Sequence, residues 1–222
     1  TSPELRVMWE KELAEMRAHP LVRSLWWPRL AKALEWVDRE IARQKTDGRL
    51  VLASEVKGEM AFRGARVHGR ADRIDRMADG TLAIVDYKTG IPPSRKRVAD
   101  GYALQLGVIG LIAAAGGFPG VAGDPEWFEY WSLAKPPRSE DKATFGFALA
   151  PFRTDKAKGL AREEFLEQSA ADLGRAIDLY IRGRAPFAAS LQPDLYGYND
   201  YDQLMRLDEW QARGHDPEEG AA

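Results

Sequence analysis

"HGRADRIDRMADGTLAIVDYKTG", residues 68–90, reads as two strands joined by a tight turn, and it carries Asp72, Asp75, Asp79 and Asp86 within one short span. Period-two alternation puts Leu82, Ile84, Asp86 and Lys88 on one face of the second strand, with Ala83, Val85 and Tyr87 on the other. On the first strand the same alternation groups Asp72 with His68, Arg70, Ile74 and Arg76. The turn decides how these faces meet. A two-residue Asp79-Gly80 turn sets Asp72 opposite Tyr87, whereas a three-residue loop, Ala78-Asp79-Gly80, sets Asp72 opposite Asp86 and Ile74 opposite Ile84. The second register matches apolar to apolar and puts Gly80 where such loops need positive φ, so it is the one expected.

That register gathers two carboxylates and an ammonium on one patch, and like charges facing each other across strands destabilise a sheet. A divalent cation between the carboxylates removes the conflict, because hard oxygen ligands with open water positions are what Mg²⁺ takes. Lys88, two residues after Asp86, can then position or help deprotonate a metal-bound water, or stabilise charge developing on phosphate oxygens. D-x-K alone is a common chance pattern. The conjunction is more specific: G-x-x-D on one strand, a glycine turn, an apolar strand ending in D-x-K, then a helix with Gln105.

Outward from this hairpin, "RLVLASEVKGEMAF" (49–62) is a further strand preceding "ARVHGRADRIDRM" (65–77), with Gly64 at the turn. Upstream, Leu30, Leu34, Val37 and Ile41 mark a helix within 21–44, started or kinked at Pro28, and Leu5, Met8, Trp9, Leu13 and Met16 mark another within 4–18. Trp26, Trp27 and Trp36 read as core or docking residues. Downstream, a helix is expected over Ser94–Ala115, strands at "EWFEYWSLA" (126–134) and Thr144–Ala150, a long helix through Leu166, Leu173, Ile177 and Tyr180, and a short one around Tyr201–Ala212. The fold class is α/β: a mixed central sheet flanked by helices, with N-terminal and C-terminal helical additions. One domain is expected overall, with 1–49 packing as a helical segment on a core of 50–222.

The 222 residues suffice for one good core, and their net charge of −2 makes the molecule as a whole no electrostatic glove for nucleic acid. Local basic concentrations remain: Arg63, Arg66, Arg70, Arg73 and Arg76 on the strands, and Arg95, Lys96 and Arg97 after "YKTG". The sequence holds no cysteine, which excludes disulfides, thiolate zinc sites and iron–sulfur clusters and fits a reducing compartment. The apolar stretch Leu106–Phe118 falls short of the ~20 residues that a bilayer span needs. No secretory signal opens the chain, so a cytoplasmic protein without membrane association is expected. The Thr1 start is what a piece of a longer polypeptide would show.

"GRADRID", "AIVDYKTG", "PPS" and "GYALQL", in this order, resemble the nuclease superfamily named for its P-D…(D/E)-x-K motif, and within it the RecB-like nucleases. They look most like the C-terminal nuclease domain of AddB, a subunit of the bacterial AddAB helicase-nucleases of double-strand-break repair. "YNDYDQLMRLDEW" is similar to the tail of AddB proteins that lack a cluster. The resemblance implies a restriction-endonuclease-like fold, Mg²⁺ (with Mn²⁺ as an alternative) held by Asp72, Asp86 and the backbone carbonyl of Tyr87, and catalysis by Asp72, Asp86, Lys88 and Gln105. Glu55 matches the acid that the family places on the preceding strand, with Glu59 as its rival, and His68 is a further candidate for the metal or a phosphate. Arg70, Arg73, Arg95, Lys96, Arg97 and Tyr102 are the candidate DNA contacts.

Departures from the pattern are Ala71 in place of the motif proline, Ile109 in place of a tyrosine four residues after the glutamine, no cluster cysteines, and no matching upstream metal histidine, since His19 lacks the Gly-Thr context. The activity implied is metal-dependent phosphodiester hydrolysis on DNA, of the exonuclease type. Implied partners are an AddA-like helicase-nuclease subunit and the remainder of a longer chain, because no G-x-x-x-x-G-K-[ST] phosphate loop supplies a motor here. Two other readings stand beside it: an inactive nuclease-fold module that docks or guides DNA, and a stand-alone RecB-like exonuclease.

Overall fold

A computed structural model describes residues 27–137, 144–154 and 159–185. The helices expected within 4–18 and 201–212 lie outside them. Helix α1 (Trp27–Thr46) starts with Pro28 in its first turn, where a missing N–H costs nothing. Strands β1 (Leu50–Phe62), β2 (Ala65–Arg76) and β3 (Leu82–Lys88) follow as an antiparallel meander. Two short helices, α2 (Arg95–Ala99) and α3 (Gln105–Ala114), cross over to β4 (Pro125–Ser132), which pairs parallel to β3. Strand β5 (Phe147–Leu149) closes the sheet in the order β1-β2-β3-β4-β5, and α4 (Phe165–Ala176) runs into a π-helical turn, Ile177–Ile181. Mixed pairing with flanking helices is the α/β class expected.

The helix expected over Ser94–Ala115 is two helices. Gly101, at φ +78°, ends α2, and the N–H groups of Gly101 and Tyr102 return to the carbonyls of Val98 and Arg97. This is a Schellman cap, which satisfies the last carbonyls with a left-handed residue that glycine adopts without a Cβ penalty. The break re-aims the chain so that α3 begins at Gln105.

The β2–β3 turn is the three-residue loop. Met77 donates to Thr81 O at 2.8 Å and Gly80 carries φ +90°, and Ile74 pairs with Ile84, both essentially inaccessible. Burying side chains of this size contributes roughly 1.5–3 kcal/mol each. They join Leu82, Leu106, Ile112, Phe128, Phe152 and Phe165 in the core between the sheet and helices α3 and α4.

The opposite face of the sheet, beneath α1, is held by charge. Arg49 Nε lies 2.6 Å from Asp75 Oδ2, Arg73 Nε 2.7 Å from Asp75 Oδ1, and Arg49 Nη2 2.7 Å from Glu129 Oε1, all buried. Gln44 of α1 accepts from Arg73 and donates to Glu129, and Trp127 and Trp131 also donate to Glu129.

Strands β1 and β2 exchange faces halfway along. Ala53 pairs with Ile74 and Val56 with Ala71, and all four pack in the hydrophobic core, although strict alternation would put 53 and 56 on opposite faces. The change falls at residues 55 and 72, where Glu55 has φ +51°. Beyond it Gly58 and Gly69, paired with each other, turn to the core: a Cβ on Gly69 would lie 2.8 Å from Ile109 Cδ1.

Candidate active site

The ladder between β2 and β3 runs from Arg76↔Leu82 to Arg73↔Val85. At its open end the Asp72 carboxylate takes over the ladder's role and accepts the N–H of Tyr87 at 2.9 Å. A strand residue turns its N–H and C=O to the same edge, so the Tyr87 carbonyl also faces the Asp72 side. Its ring lies on the other face, edge-on to Trp131 at 6.0 Å.

Asp86, one residue earlier on β3, is buried on the core face. Burial pushes its carboxyl pKa up, the Lys88 ammonium pulls it back, and the neighbouring Asp72 carboxylate pushes it up again, with a net rise. Lys88 Nζ lies 2.7 Å from Asp86 Oδ2, off the hydrogen-bonding direction, so this buried oxygen has no aligned donor. The ammonium donates instead to Gln105 Oε1 at 2.9 Å. Behind the group stands Tyr130, paired with Asp86 on β4, with its ring centre 5.9 Å from Lys88 Nζ. Burial, with Asp86 adding, raises the Tyr130 phenol far above its ordinary value, so it stays neutral.

Asp72, Asp86, Lys88 and Gln105, expected together from the sequence, therefore meet at the C-terminal end of β3 and the first turn of α3. The donor set fits a hard divalent cation: two adjacent carboxylates, one of them buried with an oxygen that no aligned hydrogen bond occupies, and a main-chain carbonyl on the same edge. Among the described residues no three His, Cys, Asp or Glu side chains converge as a metal cage. Water would complete the coordination, as Mg²⁺ with its retained hydration allows.

The family model of the PD-(D/E)XK nuclease superfamily matches residues 2–192. The chain belongs to the PD-(D/E)XK nuclease superfamily. No curated protein matches it. Among solved structures, one titled "Crystal structure of SSO0001" is 15% identical, over 77% of this chain and 70% of that chain, with a TM-score of 0.29. That superposition is too loose to bear on the site.

Of the other residues expected at this site, Glu55 stands across from Asp72 but turns its side chain outward. Glu55 is exposed and paired with Arg70, Oε2 to Nη1 at 3.1 Å. His68 is opposite Glu59, next to the core-facing Gly69. The face exchange at residue 72 thus turns His68 away from the Asp86 face on which simple alternation put it. His68 and Glu59 line an open groove of about 540 Å³ with Lys57 and Arg70.

Arg73, expected to meet DNA, is buried beneath α1, bound to Asp75 and Gln44 with its guanidinium carbon 4.8 Å from the Trp131 ring centre. It has no path to a phosphate. Arg95 donates to Ala150 O and Thr154 Oγ1, Lys96 pairs with Asp100 at 2.6 Å, Arg97 is half-buried, and Tyr102 is exposed. Sequence reading missed Tyr130. Period-two counting across "EWFEYWS" places Phe128, Tyr130 and Ser132 together, but only the parallel pairing of β4 with β3 brings that face beside Asp86.

Proposed function

We propose that this chain is a divalent-metal-dependent deoxyribonuclease domain that hydrolyses phosphodiester bonds with water as nucleophile. The observation that carries this reading is the junction of Asp72, Asp86 and Lys88: a buried carboxylate oxygen without an aligned donor beside a second carboxylate, with an ammonium fixed by Gln105. Asp72, Asp86 and the Tyr87 carbonyl would hold Mg²⁺, or Mn²⁺ in its place. When bound, such an ion supplies Lewis-acid stabilisation of phosphate oxygens and a more acidic water.

The chain's own residues do the rest. Gln105 Oε1 accepts a hydrogen bond from the Lys88 ammonium and so fixes where Nζ stands. From there Lys88 stabilises negative charge on a phosphate oxygen or orients the attacking water. Tyr130 and the core behind it exclude solvent from one side of Asp86. Arg95, Lys96, Arg97, Arg70 and Tyr102 are the proposed contacts to the DNA backbone.

The finer assignment is to the RecB-like nucleases and the AddB subunit, with exonuclease action on a strand delivered by an AddA-like helicase partner during recombinational repair in the cytoplasm. "GRADRID", "AIVDYKTG" and "GYALQL" support it. Among the described residues no helix is long and apolar enough to cross a membrane.

The test is digestion of end-labelled single- and double-stranded DNA with Mg²⁺, Mn²⁺ or chelator, comparing the chain with Asp86→Ala. Cleavage that needs the metal and disappears in the variant supports the reading. Equal cleavage by both, or none by the wild-type chain together with its AddA-like partner, rejects it.

A further inference from the structure

Glu55 is a non-glycine residue at φ +51° in the middle of a 13-residue strand. That conformation is rare for a side chain carrying a Cβ, and it clusters at functional sites where surrounding structure enforces it. Its place is not arbitrary. Pairs Ser54↔Arg73 and Val56↔Ala71 flank it, which puts Glu55 across from Asp72. Neither ladder includes Asp72 as a partner. On one side of this point Ile74 faces the core and Arg73 the charged layer; on the other, Ala71 and Gly69 face the core. Asp72 is where the chain passes from one phase to the other, so its carboxylate can lie near the plane of the sheet and accept the Tyr87 N–H. In an uninterrupted pleat its side chain would project from one face, as each strand residue does.

We propose that residue 55 is a positioning residue that serves the site through its backbone: its left-handed conformation inverts the pleat of β1 and β2 and thereby sets Asp72 beside Tyr87 and Asp86. The inference rests on reading Asp72 and Asp86 as the metal-holding pair. It assigns no part to the Glu55 carboxylate, which points to solvent and pairs with Arg70. What the position needs is a residue that tolerates positive φ.

Substitutions at 55 separate backbone from carboxylate. Glu55→Ala removes the carboxylate and keeps a Cβ; Glu55→Gly removes both the carboxylate and the left-handed penalty; Glu55→Val adds a β-branch that resists this conformation. Three readouts apply: thermal midpoint, hydrogen-exchange protection of the Tyr87 amide without metal, and Mn²⁺-dependent cleavage of single-stranded DNA. Glu55→Gly should be more stable than Glu55→Ala, the reverse of the usual order within strands. Both should keep Tyr87 protection and cleave within about threefold of wild type, as expected when an exposed side chain changes and the backbone beneath it does not. Glu55→Val should lose Tyr87 protection and cleavage by roughly tenfold or more, one unit of log population being the smallest clear shift.

Should Glu55→Val fail to fold, the Gly-over-Ala order decides. Cleavage lost in Glu55→Gly with Tyr87 protection intact would assign the role to the carboxylate and overturn the proposal. So would an Ala variant more stable than Gly, or a folded Val variant with wild-type protection. Absence of nuclease activity in every form would count against the function alone, since the stability order and Tyr87 exchange still test the backbone role.

Discussion

Lys88 Nζ lies 2.7 Å from Asp86 Oδ2, two residues earlier on the same strand. The contact holds the ammonium at the carboxylate pair, and one of its three N–H groups donates to Gln105. Lys88→Ala should therefore cost rate and spare the ion site. The expected loss in cleavage is about 100-fold or more, the range for one missing electrostatic stabiliser. Metal affinity measured by calorimetry should hold or rise as the positive charge leaves. Unchanged cleavage would remove Lys88 from the chemistry.

Asp86 gives a stability signature opposite to that of an ordinary paired carboxylate. Its folded-state pKa is raised, chiefly by burial, so between the ordinary value of 3.8 and the raised one the native state binds more protons than the unfolded chain. Stability contributed by this group is then lost as pH rises through that window. Without metal, Asp86→Asn should unfold at an equal or higher temperature than wild type at pH 7, and the difference should vanish near pH 3. Cleavage should disappear. A large drop in the metal-free midpoint at pH 7, with normal cleavage, would show that the carboxylate serves the fold alone.

Gln105 tests the positioning of the ammonium. A hydrogen bond to a charged group is worth roughly 1.5–3 kcal/mol, so Gln105→Ala should lower kcat by about tenfold or more with little change in KM. Gln105→Glu keeps an acceptor for Lys88 and should recover part of the rate. Loss confined to KM would place Gln105 on the DNA instead.

Arg73 should behave as a structural residue despite its basic neighbourhood. Removing one member of a buried ion pair strands the other's charge and costs about 3–5 kcal/mol, so Arg73→Ala should lower the unfolding free energy by that order. By contrast, Lys96→Ala should leave stability nearly unchanged and flatten the salt dependence of DNA binding, with a slope smaller by about one counterion. The reverse pattern in urea melts and salt titrations would mean that Arg73 reaches phosphate after all.

The hairpin register was legible because it depends on local signals: Ile74 and Ile84 must match, and Gly80 must take the positive φ of a three-residue loop. Lys88 beside Asp86 followed from the same alternation. His68 did not, because the face exchange at Glu55 and Asp72 carries no glycine or proline to announce it. Arg73 looked like a surface base because its partners Gln44 and Trp131 lie on α1 and β4, far away in sequence. The break between α2 and α3 did have a signal, Gly101 after Asp100, but apolar residues at helical spacing on both sides concealed it.

The parallel pairing of β3 with β4 also bears on the order in which the site can form. Asp72 and Asp86 are joined by a meander with a three-residue loop, a closure of little entropic cost. Tyr130 reaches Asp86 only after the α2–α3 crossover has closed. Contacts so distant in sequence form late in folding compared with a local hairpin. A nascent chain would thus bring its two repelling carboxylates together before the β4 wall behind Asp86 is in place, which makes that interval the stage at which a divalent cation could speed folding.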